Sequence, residues 1–162
     1  DKARDEAPIQ RYLLNVPSFF RPIIPSCHDV WFFDRPKFGS QFIPDFLLAY
    51  RNSAGFNWVM VELESPAATL LTKQRRPSAT LNEAMGQIRD WRMWLRKNIA
   101  YAQSQLGFQG LTAEFPAIIL IARRSTLEPS VVEPLRELSS PMLTIMTYDR
   151  LIESARSRLR GG

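Results

Sequence analysis

Apolar and polar residues alternate along the chain at recognisable periods, and the predicted elements follow from them. Ile9 to Phe20 (IQRYLLNVPSFF) reads as a short helix that Pro17 ends or turns, behind a frayed start from Asp1 to Pro8. Arg21 to Ser40 holds three prolines and the tract VWFFDRP, a loop with one strand in it. Gln41 to Tyr50 (QFIPDFLLAY) predicts a strand with Pro44 near its start or on its edge. RNSAG makes a turn, and Phe56 to Glu64 a second strand, apolar on both faces until its end as a central strand is. From Ser78, a fitting N-cap, to about Gln105, the residues Leu81, Ala84, Met85, Ile88, Leu95 and Ile99 form the apolar stripe of a long helix. Ala117 to Ala122 predicts a buried strand, Met142 to Thr147 another, and Tyr148 to Arg160 a closing helix. The fold class is therefore α/β, a central mixed β-sheet flanked by helices, in a single domain over residues 1–162.

The apolar run WVMVELESP ends on two carboxylates. Side chains alternate along a strand, so Glu62 and Glu64 project to one face and Val61 and Leu63 to the other. Asp45 sits on the preceding strand, and a hairpin through Arg51–Gly55 brings it towards Glu62. Three carboxylates sharing one spot raise one another's pKa and resist joint ionisation. A divalent cation relieves that cost, and oxygen donors suit magnesium or manganese. A basic side chain folded over the top, from Lys73, Arg75 or Arg89, relieves it as well, and the two glutamates then only mark where the strand leaves the core.

Composition narrows the chemistry. The 162 residues contain one cysteine, Cys27, and one histidine, His28, which excludes disulfide scaffolds, Cys/His zinc sites and most Ser-His-Asp or Cys-His nucleophile schemes, the adjacent Cys27 and His28 being the one pair left. A reducing, cytoplasmic compartment is expected, and no apolar run reaches the roughly 20 residues that cross a bilayer. The chain starts at Asp1 rather than Met, so a piece of a longer protein is expected. A formal charge of +5, dominated by arginine, fits a polyanionic partner, nucleic acid being the commonest.

Pro44-Asp45, then Glu62-Leu63-Glu64, then a helix carrying Gln87 resembles the active-site layout of the PD-(D/E)XK nuclease superfamily. More narrowly, VELESP, LLTK and SATLNEAMGQIRDWRMWL, in that order, are similar to the nuclease domain of Shedu anti-phage defence proteins; IQRYLLNVPSFF, IILIARR and MTYDRL fit too. The resemblance implies a restriction-endonuclease-like core and a Mg2+- or Mn2+-dependent endodeoxyribonuclease; no stretch of the sequence resembles a base-reading module, so cleavage with little sequence preference is expected. Its metal ligands would be Asp45, Glu62, the carbonyl of Leu63, and Glu64. Glu64 stands where the superfamily usually carries lysine, which makes Lys73 the candidate for a displaced catalytic lysine. Gln87, about 60° from Ala84 around the helix, would reach the strand ends, and Glu6 is a candidate acid of the first helix. Phosphate contacts are expected first from Arg75, Arg76 and Arg123, within a pool that includes Arg89, Arg92 and Arg124. Trp91 and Trp94 read as packing residues. The partners implied are DNA, and further copies of the chain in the full-length protein. A nuclease fold that binds DNA without cutting it, and a structural or oligomerising domain, are the alternatives.

Overall fold

The computed structural model describes residues 2–24, 29–39, 42–127 and 131–160. Five strands form one sheet in the order of the chain: β1 (Asp29–Asp34), β2 (Phe46–Asn52), β3 (Gly55–Leu63), β4 (Ala117–Leu120) and β5 (Leu143–Met146). The first three pair antiparallel as a meander, and β3-β4-β5 are parallel. Parallel strands need crossovers. The helix α2 (Ala79–Ser104) supplies the first and the short α3 (Val132–Leu138) the second. Two more helices, α1 (Lys2–Asn15) and α4 (Tyr148–Arg160), flank the sheet together with a 3-10 segment, Pro17–Ile23.

Alternation along β3 sorts the core into two layers. Trp58 and Met60 pack beneath Leu81, Ala84, Ile88, Trp91 and Leu95 of α2. Val59, Val61 and Leu63 face Leu13, Phe20, Tyr148 and Leu151 on the side of α1 and α4. Each such side chain, fully buried, contributes about 1.5–3 kcal/mol, so the two layers together hold β3 at the centre of the molecule. No helix of the described residues is long and apolar enough to cross a membrane.

The α/β class, the central strands, the long helix and the closing helix match the reading of the sequence. Ser78 caps α2 by accepting from the Leu81 amide at 3.1 Å. Four features differ. The first helix begins at Lys2 and runs through Pro8, because the residues ahead of the proline are strong helix formers. Phe20 belongs to the separate 3-10 segment and not to that helix. β2 starts only at Phe46: Pro44 has no amide to give to a ladder, and the stretch before it folds back through a bridge between Phe38 and Phe42. The helix α3 has only seven residues, too short for a helical stripe to stand out. Cys27 and His28 lie outside the described residues, as does the side chain of Glu6.

Candidate functional site

β2 and β3 are joined through a two-residue turn, Ser53-Ala54, with the Ala54 amide on Asn52 Oδ1 at 2.9 Å and Gly55 at φ +114°. This tight hairpin sets the register Phe46↔Val61 and Leu47↔Met60. Continued by one residue, it sets Asp45 opposite Glu62. Both belong to the face that carries Leu47 and Met60, the face covered by α2.

The end of β3 is pinned from each side. Asp45 Oδ2 accepts the Leu63 amide at 2.9 Å, while the Asp45 carbonyl accepts the Arg35 amide at 3.0 Å. On the parallel side the Glu64 amide donates to the Leu120 carbonyl at 2.7 Å, and the Ala122 amide to the Ser65 carbonyl at 3.2 Å. From α4, the buried Tyr148 hydroxyl donates to the Glu64 carbonyl at 2.7 Å. Ala122 itself adopts φ +62°, a left-handed conformation that disfavours an L-residue by roughly 1–2 kcal/mol. Its two backbone bonds, to Ser65 and from Tyr148, hold it there and turn the chain outward at Arg123. Glu62 is 6% exposed and Glu64 is fully buried. Two buried carboxylates at one strand end are costly in a protein interior. Asp45 is half-buried beside them.

Residues 3–152 match the family model described as Shedu protein SduA, C-terminal. The chain belongs to that family. No curated protein matches it significantly. Membership ties this Shedu domain to anti-phage defence.

The other sequence-predicted residues of the Shedu domain fall into two groups. Lys73, Arg75 and Arg76 share one tight turn between β3 and α2. The bridge Leu71↔Pro77 closes it, the Arg75 amide bonds the Thr72 carbonyl at 2.9 Å, and the Thr72 amide bonds the Arg76 carbonyl at 2.8 Å. Leu70 and Leu71 are buried, so the turn is anchored while its three cations stay exposed. Gln87 is half-buried on α2, one residue before buried Ile88, and Arg89 is exposed. Trp91 is buried, and Trp94 stacks at 5.7 Å on Phe38, so both tryptophans serve packing.

Around β4 the arginines are engaged. Arg123 lies 3.4 Å from Asp149, and Arg124 pairs with both carboxylate oxygens of Glu153 at 2.6 and 2.7 Å. The Arg124 amide bonds Asp149 Oδ2 at 2.7 Å. That bond first, and the Arg123 guanidinium after it, hold the Asp149 carboxyl below its usual range against the effect of burial. Arg92 departs from the predicted phosphate pool. Its guanidinium turns inward to the carbonyls of Phe115 and Met142, at 2.8 and 2.7 Å, and lies 5.1 Å over the Phe115 ring. Burial lowers its pKa.

Tyr148 and Asp149 are the residues that sequence reasoning missed. Their partners lie 84 and 25 positions away, and no local spacing announces such bonds.

Among the described residues no three Asp, Glu, His or Cys side chains converge closely enough to hold a metal as they stand. The facing pair Asp45 and Glu62 nevertheless fits a hard divalent ion in kind. Magnesium is usually held by one or two carboxylates, with substrate phosphate and water oxygens completing its shell.

Proposed function

We propose that this Shedu domain is a metal-dependent DNA endonuclease of the PD-(D/E)XK type, cleaving phosphodiester bonds with little sequence preference. The observation that carries the reading is Asp45 facing Glu62 across the β2–β3 register, at a strand end pinned from both sides. Asp45, Glu62 and the Leu63 carbonyl would hold Mg2+ or Mn2+, with Glu64 as a further acid beside them. Such an ion, when bound, lowers the pKa of water and offsets charge on a phosphoryl oxygen.

The chain's own groups do the rest. The amide of Leu63 orients the Asp45 carboxylate, and Tyr148 holds the backbone at Glu64, so the acids need little rearrangement when substrate arrives. Lys73 would neutralise charge developing on the phosphate or steer water, and Gln87 would reach the same strand end from α2. Arg75, Arg76 and Arg123 would grip phosphates on either side of the scissile bond.

Supercoiled plasmid DNA incubated with Mg2+, Mn2+ or EDTA tests the reading. Cleavage is expected with either metal, none with EDTA and none with Glu62→Ala, whose thermal melt should stay cooperative. Lys73→Ala should slow turnover at least about 100-fold, the scale of one positioned catalytic group, while DNA affinity changes only a few-fold. Full activity in Glu62→Ala would sink the metal assignment.

A second reading has its own support. Glu64 replaces the customary lysine, and Lys73 stands on an exposed turn. A domain that binds DNA and metal without turnover would answer to both, and the plasmid assay combined with metal titration separates the two readings.

A further inference from the structure

We propose that the cleft between α1, the 3-10 segment and α4 receives one unpaired nucleobase of the DNA, an inference that rests on the nucleic-acid reading above. The cleft holds about 300 Å3, with Tyr12, Phe19, Tyr148, Ile152 and Pro66 among its walls and Arg123 at its rim. That size lies at the small end of ligand pockets, about 300–1,000 Å3, and suits a single planar ring system better than a base pair.

The walls are suited to a base. Tyr12 is 56% exposed and its ring stands 5.7 Å from that of Phe19, tilted by 57°. A base entering beside it gains a π-face on an otherwise apolar surface, and stacking of this kind tolerates any base identity. The location ties the cleft to the carboxylates. Tyr148 lines it with its ring while its hydroxyl holds the Glu64 carbonyl at 2.7 Å. Pro66 lies two residues beyond Glu64. The cleft thus opens at the sheet end where the acids sit, from the opposite face of the sheet, and a strand crossing that end passes both.

Charge selects the occupant. Arg123 keeps its side chain 56% exposed at the rim while contacting Asp149, and the chain carries +5. A guanidinium beside an aromatic slot matches a nucleotide, base inward and phosphate at the rim. Among the described residues that line the cleft there is no amide, carboxylate or aliphatic hydroxyl side chain to read a base edge, so the subsite recognises an unpaired base as a shape and not as a letter.

The test compares affinities of the chain for two otherwise identical duplexes, with calcium in place of magnesium. One carries a single bulged thymidine and the other an abasic bulge at the same position. The bulged thymidine should bind about 5- to 150-fold tighter, the span that one base–aromatic stack contributes. Tyr12→Ala removes an exposed ring and Ile152→Trp fills the cleft without removing one; both should bind the two duplexes equally. Equal binding of the two by the unaltered chain, or a preference that survives both substitutions, overturns the subsite and leaves the phosphate reading standing. No binding to either duplex at low salt removes both.

Discussion

Arg92 and Arg75 carry the same charge and are held in opposite ways. The guanidinium of Arg92 donates to two main-chain carbonyls, Phe115 just before β4 and Met142 just before β5. It ties the N-terminal ends of the two parallel strands to α2, so its charge is spent inside the protein. Arg92→Ala would take a donor from each carbonyl, leaving Met142 with the Ala117 amide alone, and charged hydrogen bonds of this kind contribute about 1.5–3 kcal/mol each. Urea unfolding should show a loss of at least about 2 kcal/mol, with DNA affinity of the folded fraction unchanged. A loss of affinity without a loss of stability would return Arg92 to the phosphate pool. In the sequence the two kinds of arginine look alike. Arg92 neighbours Trp91 on a helix whose stripe is clear, but which carbonyls lie within its reach depends on how β4 and β5 pack. The acids were easier to place, because strand alternation and a short turn already restrict where Asp45, Glu62 and Glu64 project.

At the scale of elements, strong local signals carried through to the structure and weak ones did not. Ser78, the stripe on α2, the apolar run of β4 and the helix start at Tyr148 each depend on neighbours a few residues apart. The start of β2, the seven-residue α3 and the turn at 71–77 depend on contacts made only in the folded chain. That turn carries a measurable strain. Arg75 sits at φ +59°, the left-handed position that follows a tight turn and that glycine fills without cost. Arg75→Gly should therefore stabilise the fold by roughly 1 kcal/mol, raising Tm by about 2–4 °C in a domain of this size. The same change should weaken DNA binding, since an exposed cation next to Lys73 and Arg76 is lost. Calorimetry and a binding isotherm on one variant read both effects. A stabilised variant with unaltered affinity would make the turn a purely structural connection, and Arg75 an accident of it.

The whole molecule sets two buried acids and the half-buried Asp45 within a chain whose net charge is +5. Such a distribution draws a polyanion in over distance and then presents it with acids that repel it at contact, unless a cation intervenes. Affinity for DNA should accordingly come from the exposed cations, and its salt dependence counts them. Lys73, Arg75, Arg76 and Arg123 are four candidate phosphate contacts, and four give a slope of log K against log salt of about −3.6. Between 50 and 200 mM salt the affinity should then fall by about 150-fold. Replacing the three cations of the turn by alanine should reduce the slope to about −0.9, leaving the share of Arg123. Divalent metal adds a separate dependence through the acids, so the titrations belong in calcium held constant while potassium varies. A steep slope that survives loss of the turn would move the DNA to another face of the domain, the outward arginines of α4 being next in line. A flat slope in the unaltered chain would remove phosphate contact altogether, and the acids at the end of β3 would then need a different substrate.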